Sequence, residues 1–296
     1  MKTADGFLSG TGGRRIFWQS WCPDTGVRAV VALVHGASEH SGRYGHVAAA
    51  LVADGYAVHA LDHRGHGRSD GPRAVIDRLA SAVADVDQLV LEAREQYPGL
   101  PVYMLGHSMG GTVAVSYTLR HQDRLAGLIL SGPLAALAAA PAPLRVIGRV
   151  LSMVAPATPL VAIDATLVSR DPEVVADYTS DPLNYHGKLP ARTVAELAAA
   201  IDRFPDAVGA ITIPTLILYG SADRLCPPAG SEMLGERIGA ADKTVKSYPG
   251  LFHEILNEPE RDEVLTDIRG WLAERLAKGD EPGRGDAAAA AGSSSS

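Results

Sequence analysis

The sequence predicts an α/β protein, a mostly parallel central sheet flanked by helices and interrupted by one inserted helical cap. Short apolar, β-rich runs bounded by glycine and proline alternate with longer helical patterns. The runs are apolar throughout, as expected where helices cover both faces of a sheet. The alternation then stops after Ser131-Gly132-Pro133 and resumes only at Thr215, a gap far longer than an ordinary connection.

The elements follow in order. Ala29 to Val34 (AVVALV), Tyr56 to Leu61 (YAVHAL), Val102 to Leu105 (VYML), Leu125 to Leu130 and Thr215 to Tyr219 (TLILY) read as buried strands, with Thr244 to Tyr248 as a last, edge strand. Tyr44 to Ala53, Leu79 to Tyr97, Met109 to His121, Ala229 to Ile238 and Glu260 to Leu276 have the length and periodicity of helices. Gly10-Thr11-Gly12-Gly13 precedes the first of these strands instead of joining a strand to a helix, so it reads as a hairpin turn and not a dinucleotide fingerprint. The expected organisation is a core of residues 1–133 and 205–278, a cap insertion over 134–204 and a disordered low-complexity tail over 279–296. In the cap, Leu144 to Val154 sets Arg145, Arg149 and Ser152 on one narrow stripe among apolar side chains. Such a helix covers an acyl channel, touches a bilayer, or merely packs onto the core, and the pattern leaves these readings open.

Composition narrows the function classes. A chain of 296 residues with 46% hydrophobic content buries a large core. Its formal net charge of -7 offers no electrostatic footprint for a nucleic acid partner. Cys22 and Cys226 are the only cysteines and lie far apart, which excludes a disulfide framework or a four-cysteine zinc site and predicts two free thiols in a reducing compartment. No secretory pattern occupies Met1 to Arg15, and prolines and arginines interrupt the most apolar region, so a cytoplasmic protein is expected, with at most peripheral membrane contact through the cap. Oligomeric state is not legible.

The strongest local signal is Gly106-His107-Ser108-Met109-Gly110, a G-x-S-x-G pattern between an apolar strand and a helical segment. A sharp strand-to-helix turn would expose Ser108 at the carboxyl end of the sheet, where open α/β sheets bind ligands. A serine hydroxyl needs a general base oriented by a carboxylate. Asp223 follows the strand TLILY and His253 follows the last strand, in the chain order acid then histidine that this elbow requires. Asp242 is the rival acid, but it precedes the last strand and so falls at the opposite edge of the sheet. The catalytic triad expected is therefore Ser108, Asp223 and His253. The backbone N–H groups of Ala37 and Met109 are the expected oxyanion hole.

Together these residues resemble the monoacylglycerol lipase family of the α/β-hydrolase fold, in its bacterial, actinobacterial-like form. The resemblance rests on His35-Gly36-Ala37-Ser38-Glu39-His40-Ser41-Gly42-Arg43-Tyr44, Leu61-Asp62-His63-Arg64-Gly65-His66-Gly67-Arg68-Ser69, GHSMGG, GSADRLC and the cap run SRDPEVVADYTSDPL. It implies hydrolysis of monoacylglycerol to glycerol and fatty acid, without metal or organic cofactor, under a mobile cap. It also implies that Glu39, Arg43 and Tyr178 lie near the glycerol end of the site. Two departures bear on the headgroup: Ser38 stands where many members have a second glycine, and Leu256 where mammalian members carry a second histidine.

Other readings remain. A carboxylesterase or lysophospholipase would use the same triad, because acyl chemistry does not determine the alcohol. A perhydrolase would also run on it. Haloalkane dehalogenases and epoxide hydrolases of this fold are excluded by Ser108, where they carry aspartate. A non-catalytic lipid-binding homologue is disfavoured by the full set of triad residues. Cys226, three residues past Asp223, is a candidate point of block by a bulky thiol reagent or an inert small hydrophobe. His63 and His66 lack a second ligand pair at zinc-like spacing, so a structural role with Asp62, Arg64 and Ser69 is expected.

Overall fold

The computed structural model describes residues 1–137 and 150–279. Residues 280–296 of the expected tail and most of the expected Leu144 to Val154 helix lie outside the described residues; Gly279, expected to open the tail, ends the C-terminal helix instead, and of the Leu144 to Val154 helix only residues 150–154 are described, and they are helical.

The core is an eight-stranded sheet in the order β1-β2-β4-β3-β5-β6-β9-β10. Its central strands are β3 (Ala29–Val34), β4 (Tyr56–Leu61), β5 (Val102–His107), β6 (Gly127–Ser131) and β9 (Thr215–Gly220), every residue of which is buried. All pairs from β4 to β10 are parallel, beginning with Ala29 opposite Tyr56. The side-chain period of two sorts β3 between two cores. Val30, Ala32 and Val34 face one, packed by α2 (Leu79–Gln96) and α3 (Met109–His121); Ala29, Val31 and Leu33 face the other. The second core is packed by α1 (Gly45–Ala53) and by Val264, Ile268, Trp271 and Leu272 of the C-terminal helix Arg261–Gly279. Both faces are covered, which is why these strands are apolar throughout.

The edges differ from the centre. β1 (Lys2–Ser9) and β2 (Arg15–Cys22) form an antiparallel hairpin around the glycine turn, and β2 continues antiparallel onto β4. β10 (Lys243–Tyr248) closes the other edge and presents Lys243 and Lys246, charges that discourage further strand pairing.

Between β6 and β9 runs the intervening segment. It carries a small antiparallel pair, β7 (Pro159–Val161) with β8 (Leu189–Pro190), and the helices α4 (Pro172–Ser180) and α5 (Ala191–Ile201). Asp171 caps α4 by accepting from Glu173 N–H, and Pro172 takes the first helical position. Hydrogen bonds stitch the segment to the core: Ile76 N–H donates to Thr193 Oγ1, Leu79 N–H to Glu196 and Tyr185 N–H to Ser38 O. Among the described residues no helix is long and apolar enough to cross a membrane.

The approach of α3 to β3 admits no side chain at Gly110, where a Cβ would lie 2.1 Å from the Val34 carbonyl oxygen. We expect Gly110→Ala to destabilise the fold by about 3 kcal/mol or more, since neither backbone can yield cheaply. Denaturant unfolding of the two proteins checks this.

Candidate active site

Ser108 joins β5 directly to α3 with φ 54° and ψ −121°, a left-handed conformation that L-residues rarely adopt. The turn is possible because its flanks are bare. A Cβ on Gly106 would meet Gly110 O at 2.6 Å, and Gly110 admits none, as above. Hydrogen bonds hold the turn from both sides, with Ser108 N–H donating to Ser131 O and Leu134 N–H to Ser108 O.

Asp223 follows β9 and His253 follows β10, so both side chains arrive at the carboxyl end of the sheet beside Ser108. His253 Nδ1 lies 2.8 Å from Asp223 Oδ2. The other Asp223 oxygen accepts from Leu225 and Cys226 N–H, which fixes the carboxylate. Cys226 Sγ lies 3.7 Å from Ser108 Oγ and 3.9 Å from His253 Nε2, so the thiol touches both. Ser108, Asp223 and His253 are all buried. Asp242, the rival acid, precedes β10 and pairs with Arg275.

The loop after β3 passes next to this turn. A Cβ on Gly36 would lie 3.1 Å from Ser108 Cβ, which shows how closely the loop approaches. Gly36 N–H is consumed by Glu39 Oε1 at 2.6 Å. Met109 opens α3, where an N–H has no acceptor within the helix. Ser38 takes φ 64°, and its buried hydroxyl has no partner among the described residues.

Glu39 and Arg43 do not stand free. Arg43 Nη1 donates to Glu39 and to Glu254, each at 2.7 Å, and Nη2 donates to Glu254 at 2.7 Å. Tyr178, on α4, covers the guanidinium with its ring 4.9 Å away. Glu254 and Tyr44 are members of this cluster that sequence reasoning missed. The available signal was a lone acid within the buried run Leu251 to Leu256.

Buried histidines surround the site. Burial pushes His63 down to about 3, helped by the neighbouring His66. It likewise holds His66 at about 4 and His107 at about 4, the latter aided by the charge of His253. His35 is also held well below its ordinary value by burial. It donates from Nδ1 to Gly36 O, so Nε2 accepts from His63 N–H. His253 is the exception: burial opposes its cationic form, but Cys226 and Asp223 outweigh it and raise the pKa well above 6.5. Asp62 and Ser69 hold the His63 loop, Asp62 accepting from Ser41 and Arg68 N–H, and Arg64 pairs with Asp85 and Asp77. Among the described residues no cluster of histidine, cysteine or carboxylate ligands is arranged to hold a metal.

A serine on a strained turn beside a carboxylate-bound histidine, with backbone donors nearby, is a constellation capable of acyl transfer. The fold and this site define a serine hydrolase of the α/β-hydrolase class. The family model described as "Serine aminopeptidase, S33" matches residues 25–260. The monoacylglycerol lipase of Mycolicibacterium smegmatis is 45% identical over 91% of this chain and 96% of its own length. The human monoglyceride lipase is 38% identical over 90% and 89%. The crystal structure of the Paleococcus ferrophilus monoacylglycerol lipase superposes with a TM-score of 0.78 at 32% identity, covering 86% of this chain and 98% of that one. The chain belongs to this hydrolase family and, within it, to the monoacylglycerol lipase relatives.

The neutral buried rings make stability pH-dependent. Unfolded histidines titrate near 6.5, so below that pH the unfolded chain binds more protons than the fold does at His63, His66 and His107, and stability falls. His253 offsets only part of this, because its raised pKa adds stability as pH falls only until the unfolded imidazole is also protonated. Between pH 6.5 and 5 each depressed ring subtracts up to about 1.4 kcal/mol per pH unit. Urea midpoints at pH 7 and pH 5 check this, with the lower midpoint expected at pH 5.

Proposed function

We propose that the protein hydrolyses monoacylglycerols to glycerol and free fatty acid, with Ser108, His253 and Asp223 as its catalytic triad. The observation that carries the reading is the 2.8 Å Asp223–His253 pair brought beside Ser108 on its elbow. His253 Nε2 takes the proton as Ser108 Oγ attacks the ester carbonyl, and Asp223 holds the ring in the required tautomer. The backbone N–H groups of Ala37 and Met109 receive the oxyanion. Collapse breaks the ester C–O bond, the departing glycerol takes the proton from His253, and water then attacks the acyl-serine by the same route to release the acid.

The intervening segment serves as the cap over residues 134–204, consistent with its hydrogen bonds to the core and with the burial of Ser108. Its exposed side includes Val150, Met153, Val154, Leu160 and Val161, an apolar face suited to contact with a lipid surface.

Fatty acid release from a medium-chain 1-monoacylglycerol tests the reading, with a diacylglycerol and a lysophospholipid run alongside. Wild type is expected to prefer the monoacylglycerol, and Ser108→Ala to lose about 10⁴-fold or more in kcat. Preference for the lysophospholipid would overturn the substrate assignment and leave the triad standing.

The pH profile tests the base. Neutral His253 is the active form and its pKa is raised, so kcat/KM should fall with acid through a midpoint above 6.5. His63, held at about 3, and His66 and His107, held at about 4, contribute nothing there. Asp223→Asn should move the midpoint down and reduce kcat by about 10⁴-fold.

A further inference from the structure

We propose that Glu39, Arg43 and Glu254 form a positioning bridge between the oxyanion loop and His253, and are not ligands of the glycerol headgroup. The proposal rests on the assignment of Ser108 and His253 given above.

Six hydrogen bonds define the bridge. Glu39 Oε1 accepts from Gly36 N–H at 2.6 Å and from the Tyr44 hydroxyl at 2.7 Å. Glu39 Oε2 accepts from Arg43. Arg43 then clamps both oxygens of Glu254. Glu254 Oε2 also accepts from Asn257 Nδ2. Every carboxylate oxygen is therefore engaged, and Tyr178 lies over the flat face of the guanidinium. Each carboxylate already accepts three charge-assisted hydrogen bonds, and the Glu39 and Glu254 side chains are only 3% and 6% exposed, so little of either is open to a headgroup hydroxyl.

The two ends of the bridge are at the reacting groups. At one end, Glu39 fixes the peptide entering Gly36, while His35 Nδ1 donates to Gly36 O at 2.7 Å and fixes the next peptide. That second peptide is planar and trans, so holding Gly36 C=O in one direction holds Ala37 N–H in the opposite one. At the other end, Glu254 is bonded covalently to His253, and its own N–H donates to Val168 O on the intervening segment. Arg43 thereby connects the donor of the oxyanion hole to the general base through two buried ion pairs.

Burial gives the bridge its stiffness. The Glu39, Glu254 and Arg43 side chains are only 3%, 6% and 10% exposed. Arg43 holds the Glu254 carboxyl down at about 2 against the opposing effect of burial, so the pair stays charged across the working pH range. Breaking one partner leaves a buried charge uncompensated.

The test separates positioning from recognition by using two esters, a monoacylglycerol and p-nitrophenyl butyrate, which has no glycerol. Glu39→Gln and Glu254→Gln keep side-chain size while removing the charge that Arg43 clamps. A bridge predicts that kcat falls about tenfold or more on both esters with KM changed less than about twofold, as for a displaced catalytic group. Labelling of Ser108 by a fluorophosphonate should slow in parallel. A rise in KM confined to the monoacylglycerol, with p-nitrophenyl butyrate kinetics unchanged, would overturn the proposal in favour of headgroup binding. Unchanged kcat on both esters would also overturn it. Should either variant melt too low to assay, Tyr44→Phe removes one donor to Glu39 with all charges still paired, and a loss of about two- to fivefold in kcat on both esters is expected. No loss there would count against the bridge. Wild type active on p-nitrophenyl butyrate but not on monoacylglycerol would refute the substrate assignment alone and leave the bridge to be decided on the first ester.

Discussion

Ser108 holds φ 54° and ψ −121° because Gly106 and Gly110, two residues to either side, leave room where β5, α3 and β3 converge. The strained turn costs on the order of 1–3 kcal/mol and persists because the surrounding sheet and helix leave no alternative path. Everything else at the site is placed relative to it. β9 and β10 deliver Asp223 and His253 to the same end of the sheet, and the loop after β3 brings Gly36 and Ala37 alongside. A parallel sheet gathers these loops because all its strands end on one side.

The electrostatics set His253 apart from the neighbouring buried rings. His63, His66 and His107 are held neutral by burial, whereas His253 faces Asp223 and Cys226 and binds its proton more tightly than a free imidazole. The carboxylates Glu39 and Glu254 stay charged in the interior because Arg43 lies between them. A positive group between two negative ones also limits the field that would otherwise act on the neighbouring His107.

Much of this was legible in the sequence, for physical reasons. β3, β4, β5 and β9 are covered on both faces, so apolar composition alone marks them, and the expected ends fall within two residues of those observed. The Leu125 to Leu130 reading began two residues early, because Leu125 and Ala126 lead into the ladder that starts at Gly127. The strands flanking the Gly10 turn were not legible. β1 is largely exposed at the sheet edge and carries Gly6 and Asp5, so neither alternation nor β-propensity identifies it. At the site, the triad positions follow from strand order, which is a local property of the sequence. The partnership of Arg43 with Glu254 does not, since the two are 211 residues apart and meet only through the fold. Ser38 shows the same limit: its left-handed backbone is visible in the structure, while the sequence offered only a serine in a glycine position.

The central claim is that Ser108 is the residue acylated during turnover, and covalent labelling tests it most directly. The folded protein would be treated with a fluorophosphonate and digested, and the adduct would be located by mass spectrometry while residual esterase activity is followed. The account predicts one adduct per chain, on the peptide carrying Ser108, appearing at the rate at which activity is lost. Full activity in a protein labelled at Ser108, or loss of activity with the adduct on another residue, would contradict it.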